Sequence, residues 1–169
     1  MRPAVHAYIG IGANLGDPVT QVLQACARLA RDVPNTRLTA RSSLYRNPPM
    51  GPQDQPDYVN AVARLDTQLD PRALLDALQG IEAACGRRRD GARWGPRLLD
   101  LDILLFGDLV IDQPGLRVPH PGIAQRDFVL FPLLELDPQL AIPGLGSVAA
   151  LCRCMPSTGL VAIAEEARA

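Results

Sequence analysis

Asp100-Leu101-Asp102 lies inside the apolar stretch Leu98 to Phe106. If that stretch is a strand, side chains two residues apart share a face, with Cα atoms roughly 6.5 Å apart. Two carboxylates held together on such a strand are costly unless paired or metal-bound. A hard dication relieves their repulsion, and Mg2+ commonly uses one or two carboxylates plus substrate phosphates. The competing reading is an exposed strand end with Arg97 as partner. Just upstream runs Arg87-Arg88-Arg89-Asp90-Gly91-Ala92-Arg93-Trp94-Gly95-Pro96-Arg97, with five Arg and one Asp, a local formal charge of +4. Guanidinium forks suit phosphate oxygens, and Gly and Pro suit a loop that closes over a ligand. Taken alone the run also reads as a solvated basic loop. Adjacency favours the first reading, because a metal pair beside an anion clamp is what phosphoryl transfer requires.

Other residues carry weaker signals. Trp94, the sole tryptophan, sits in the polar loop and reads either as a lid over a ring or as the loop's anchor. His120 is held between Pro119 and Pro121 and could hydrogen-bond a phosphate or a ribose, although a lone loop histidine is often incidental. His6 alternates with apolar residues and reads as structural. Gly10, Gly12 and Gly16 do not have the G-x-G-x-x-G spacing, which argues against a dinucleotide loop. All 17 basic residues are Arg, which excludes a P-loop lysine and Schiff-base chemistry. Cys152-x-Cys154 lacks a second pair, so zinc is not expected, and Cys26 and Cys85 fall in apolar helical stretches that suit a core.

The elements that must position these residues follow from periodicity. Residues 4–12 read as a strand, and Asp17-Pro18 starts a helix whose Val22, Leu23, Cys26, Leu29 and Ala30 face a core. Residues 36–46 read as one strand, and four prolines and a glycine between Asn47 and Pro56 make a stiff loop. A strand over 57–66 precedes a second helix beginning at Asp70-Pro71, whose inner face carries Leu74, Leu75, Leu78, Ile81 and Cys85. The apolar strand 98–106 follows, then a hairpin within 109–118 and a helix over 125–136 that Pro132 breaks or starts. Beyond Pro138 the pattern allows short strand and helix pieces. The order strand, helix, strand, strand, helix, strand is that of an α+β, ferredoxin-like (βαββαβ) core with additional C-terminal elements, in one domain over 1–169.

Composition bounds the function. A chain of 169 residues buries about two thirds of its unfolded surface. The 47% apolar and 21% charged fractions exclude disorder. A net charge of -1 and only 4% aromatics disfavour nucleic acid. Apolar runs stop short of the roughly 20 residues a membrane span needs. Without an apolar signal core at the start, a cytoplasmic location is expected. With no obvious apolar patch, so is a monomer.

The chain resembles the 6-hydroxymethyl-7,8-dihydropterin pyrophosphokinases, enzymes of folate synthesis, from about Tyr8 to Pro138. The most specific segment is Arg93 to Ile103 (RWGPRLLDLDI), similar to the family's R-W-G-P-R-x-x-D-x-D-[IL]. Tyr8 to Gly16, Ser43 to Pro49, Gly51 to Ala61, Val118-Pro119-His120 and Arg126-Asp127-Phe128 support it. The resemblance implies transfer of pyrophosphate from ATP to the pterin's hydroxymethyl oxygen, releasing AMP. It implies two Mg2+ ions held by Asp100 and Asp102, with Arg89 and Arg97 on the triphosphate and Arg87 and Arg93 in support. Gln79, Glu82, Ile103, His120 and Arg126 would serve the nucleotide, with Ile103 beside the adenine. Tyr58 and Phe128 would sandwich the pterin, Asn60 and the loop of Asn47, Pro48, Pro49 and Met50 would read its edge, and Trp94 would close over it. The chain departs from the family's pattern at Asp90, where Lys can stand, at Pro121, where Tyr can follow the histidine, and at Asn47, where Thr can occur. A non-catalytic ferredoxin-like module that binds a nucleotide or small ligand is the alternative, and an RNA-binding domain of similar strand order is a third reading.

Overall fold

Two Asp-Pro pairs open the two helices of the core. Asp17 accepts from the Thr20 amide at 3.3 Å and from its hydroxyl at 2.7 Å, and Asp70 accepts from the Ala73 amide at 2.8 Å. Each side chain satisfies an amide of the first turn, and the following proline has no amide to satisfy. In the computed structural model, which describes residues 3–48, 56–85, 99–156 and 159–163, the elements are β1 (Val5–Ala13), α1 (Pro18–Asp32), β2 (Thr36–Arg41), β3 (Tyr45–Asn47), β4 (Tyr58–Thr67), α2 (Pro71–Ala84) and β5 (Asp100–Phe106), then β6 (Ile111–Gln113), β7 (Leu116–Val118), α3 (Asp127–Leu136), β8 (Ala141–Ile142), β9 (Gly146–Ser147), α4 (Val148–Arg153) and β10 (Val161–Ala162).

The main sheet has the order β10-β3-β4-β1-β5, with β2 also paired to β4, and every pairing is antiparallel. This is the ferredoxin-like arrangement expected from the element order. The expected single strand over 36–46 is two strands. Ser42 donates its amide to the Val62 carbonyl, accepts the Val62 amide on its hydroxyl, both at 2.9 Å, and turns that hydroxyl to the Ser43 carbonyl at 2.7 Å. A side chain thus takes over the role of a ladder carbonyl, and the ladder is interrupted there.

Side-chain alternation gives the sheet two faces. Ala7, Ile9, Ile11 and Ala13 of β1, with Val59, Ala61, Ala63 and Leu65 of β4 and Leu101 and Ile103 of β5, pack under Val22, Cys26 and Leu29 of α1 and Leu74, Leu78 and Ile81 of α2. On the other face Tyr8, Val62, Leu104 and Leu105 meet Val129, Leu130 and Leu133 of α3 and Val148 and Cys152 of α4. Pro132 neither breaks nor starts α3. The helix runs through it, and Pro132 simply has no amide to give the Phe128 carbonyl four residues earlier. Cys26 is buried, whereas Cys85 is half-buried at the end of α2. His6 is exposed and pairs with Asp66 across the β1–β4 ladder. No helix among the described residues is long and apolar enough to cross a membrane.

Candidate active site

Register assembles the site. On the face shared with α3, Gly12 of β1 stands opposite Asn60 of β4 on one side and Asp100 of β5 on the other. Gly10 likewise stands between Val62 and Asp102. Directly paired residues point to the same side, so both carboxylates and Asn60 face one surface, with a glycine floor between them. The distance across that floor, two strand spacings, is about 9.6 Å. A Cβ on Gly12 would sit 2.6 Å from Asn60 Oδ1, so the floor must be bare. In the sequence these glycines lack the spacing of a dinucleotide loop and fall in the segment from Tyr8 to Gly16 that resembles the family. Their spacing of two in a strand was the signal for a shared bare face.

Asp102 is exposed and Asp100 half-buried. No group of three or more His, Cys, Asp or Glu that could hold a metal exists among the described residues. Two hard carboxylate oxygen donors on one strand face nevertheless suit Mg2+, which usually keeps waters and takes its remaining ligands from phosphates.

β5 carries a bulge at Leu104, where the β1 register shifts between Tyr8 and Ile9. The Leu104 carbonyl accepts the His120 amide at 3.0 Å. That bond ties His120 to the strand of the two acids. His120 Nδ1 accepts the Gly122 amide at 3.0 Å, which assigns the proton of the neutral ring to Nε2. Burial pushes the imidazole below its usual range, the Asp102 charge opposes this, and Arg126 adds to it. A cleft of about 410 Å³ opens here, lined by Leu75, Asp102, Ile103, Leu116, Arg117 and His120, among others. Ile103 is thus both a core residue and a wall.

The remaining positions divide by location. Asn60, 8% exposed, donates to Asn47 Oδ1 at 2.5 Å, and Asn47 donates to the Pro48 carbonyl at 3.1 Å. Tyr58 opens β4 on the Asn60 face, opposite Asn47. Phe128, the second residue of α3, packs against the second-face core, with the Arg126 guanidinium carbon 5.8 Å from its ring centroid. Gln79 is exposed on α2, whereas Glu82 is 3% exposed and accepts the Leu101 amide at 2.8 Å. Glu82 therefore grips β5 between the two aspartates. Pro49, Met50, Arg87, Arg89, Arg93, Trp94 and Arg97 lie outside the described residues.

Comparison with known proteins gives the family of the chain. A profile of the 7,8-dihydro-6-hydroxymethylpterin-pyrophosphokinase (HPPK) family matches residues 8–138. The chain belongs to the HPPK family. The 2-amino-4-hydroxy-6-hydroxymethyldihydropteridine pyrophosphokinase of Pseudomonas aeruginosa is 50% identical over 155 residues, covering 92% of this chain and 94% of that one. The Bacillus subtilis enzyme of the same name is 44% identical over 134 residues, 79% of each chain. Among solved structures, a Plasmodium falciparum HPPK-DHPS superposes with a TM-score of 0.72 at 14% identity, over 90% of this chain and 44% of that one. A further HPPK-DHPS crystallised with substrates gives 0.71 at 12% identity, over 89% and 43%. This chain spans under half of those two chains, and at such identity they bear on the HPPK fold alone.

Proposed function

We propose that this sheet face receives ATP and 6-hydroxymethyl-7,8-dihydropterin together and transfers pyrophosphate between them. The family's reaction, pyrophosphoryl transfer from ATP to the hydroxymethyldihydropterin in folate biosynthesis, is the activity of the chain. The observation that carries the site is the row Asn60–Gly12–Asp100, which brings an amide suited to a ring edge and a carboxylate suited to a metal onto one surface.

In this reading the pterin lies between Tyr58 and Phe128, with Asn60, Asn47, Pro48, Pro49 and Met50 at its edge. Stacking supplies area, and a few polar groups supply specificity. The nucleotide takes the cleft at His120, Ile103 and Leu75, with Gln79 and Arg126 at its margins. Glu82 stands beneath β5. Arg87, Arg89, Arg93 and Arg97 serve the phosphates, and Trp94 covers the pterin. Asp100 and Asp102 would hold two Mg2+ ions, which when bound offset charge developing on the phosphate oxygens. The hydroxymethyl oxygen bonds to the β-phosphorus and releases its proton to solvent, as the bond from that phosphorus to the bridging oxygen breaks and AMP leaves with the electron pair. A neutral His120 with its proton on Nε2 donates to a phosphate oxygen without needing to titrate. The protein acts as a monomeric single domain in the cytoplasm.

The test is to supply ATP, Mg2+ and the pterin and identify the nucleotide product. AMP with the pterin diphosphate is expected. ADP would make the protein an ordinary kinase, and magnesium-independent binding without product would make it a ligand-binding module.

A further inference from the structure

Glu135, in the last turn of α3, takes three hydrogen bonds from one short segment. Oε2 accepts the Ser43 amide at 2.8 Å and the Ser43 hydroxyl at 3.0 Å, and Oε1 accepts the Tyr45 hydroxyl at 2.7 Å. Ser43 lies two residues before β3, and Tyr45 begins it. We propose that Glu135 and Tyr45 form a clamp that sets the width of the pterin slot, making both of them positioning residues for that substrate. The inference rests on the site reading above.

The geometry gives the clamp its leverage. Tyr45 and Asn47 are two apart on β3 and share a face, and Asn47 is the residue to which Asn60 donates. Glu135 and Phe128 are seven apart on α3, close to two full turns, so they fall on nearly the same side of the helix about 10 Å apart along its axis. The clamp therefore links the strand that carries Asn47 to the helix that carries Phe128. Both groups lie on the Asn60 side of the sheet.

α3 packs on β4 through Val62, the strand paired with β3, but it does not close on β3 itself. Between α3, β3 and the chain after α4 lies a cleft of about 550 Å³, lined by Tyr45, Phe131, Leu134, Glu135, Met155 and Leu160, among others. Across that gap the three hydrogen bonds link helix and strand directly, where dispersion contact is reduced. Burial and the Glu135 carboxylate both keep the Tyr45 hydroxyl protonated, and so a donor. Glutamate is the one charged residue in α3 after Asp127. An acid set among apolar residues in the last turn was the available sequence signal.

The experiment measures equilibrium binding of the pterin in the presence of Mg2+ and a non-hydrolysable ATP analogue, and separately binding of the analogue. Tyr45→Phe removes one hydrogen bond and Glu135→Ala all three. Pterin affinity is expected to fall about 3-fold and about 10-fold respectively, the scale of one net hydrogen bond. Affinity for the analogue should stay unchanged. Glu135→Gln keeps acceptor oxygen and should recover part of the loss. Asn60→Ala is the control for the slot itself. Unchanged pterin affinity in Tyr45→Phe and Glu135→Ala, beside a loss in Asn60→Ala, overturns the clamp and leaves the site reading standing. Equal losses for pterin and analogue would make the network a general structural support and also overturn it. No loss in any variant, Asn60→Ala included, overturns the site reading and the clamp with it.

Discussion

At the scale of single residues, Gly12 is where the smallest change has a calculable effect. An alanine methyl there would stand 2.6 Å from Asn60 Oδ1, whereas one at Gly10 would meet the flexible Leu104 side chain at 3.3 Å. Asn60 is tied to Asn47 and has little room to retreat, while Leu104 can yield. Gly12→Ala is therefore expected to raise the Michaelis constant for the pterin by about 10-fold or more, the loss of at least one oriented hydrogen bond. Gly10→Ala should change it far less. Steady-state kinetics on the two variants decide this, and equal effects would mean that Asn60 does not read the pterin. Asp127, 6% exposed at the start of α3, gives a pH prediction. Burial raises its carboxyl above the ordinary 3.8, against hydrogen bonds from the Phe128 amide and its own amide that favour the charged form. Above pH 3.8 and up to its raised value, the folded chain holds more protons than the unfolded one. Stability therefore falls as pH rises through that window and is fully present below it. Asp127→Asn should abolish this slope, and at pH 7 the variant should be at least as stable as the parent. Urea midpoints across the window test it. A lower midpoint at pH 7 would show that the charge at the helix start outweighs its burial.

At the scale of elements, the helix starts were legible because their causes are local. Asp17-Pro18 and Asp70-Pro71 cap and begin their helices within three residues. The break at Ser42 was not legible, because it depends on Val62, twenty residues away, supplying both backbone partners. Nor was the continuity of α3 through Pro132, since the packing of Val129, Leu130 and Leu133 on Val62 and Leu104 outweighs one missing hydrogen bond. The resemblance placed Glu82 with the nucleotide; the structure gives it a contact that spacing could not reveal. β5 ends the sheet path, so half of its amides point away from β1. Glu82 takes the one from Leu101, between the two aspartates. Glu82→Ala leaves that buried amide unmet and should cost about 1–3 kcal/mol in denaturant stability, whereas Glu82→Gln, which keeps an acceptor, should cost less. The alanine variant should also lower kcat, because the strand segment bearing Asp100 and Asp102 loses its tie to α2. Unchanged stability in Glu82→Ala would remove that tie from the account of the site.

At the scale of the whole molecule, ligand binding should register as stability. The element order made the sheet readable, but the meeting of Asn60 with Asp100 is a matter of long-range register, which no local pattern carries. Because those groups sit on β4 and β5 with β1 between them, a ligand spanning them holds three strands of the core together. Anything that binds only the folded chain stabilises it by RT ln(1 + [L]/Kd), about 2.7 kcal/mol when the free ligand is 100 times its dissociation constant. For a chain of this size each kcal/mol moves Tm by about 2–4 °C. Saturating ATP with Mg2+ should therefore raise Tm by about 5–11 °C, and excess chelator should remove most of that rise. Asp102→Asn keeps the shape of the side chain but not its charge. It should melt close to the parent without ligand and lose the magnesium-dependent part of the shift. An undiminished shift in that variant would place the metal elsewhere, since the ATP would then be held without the carboxylate that β5 presents beside Gly10.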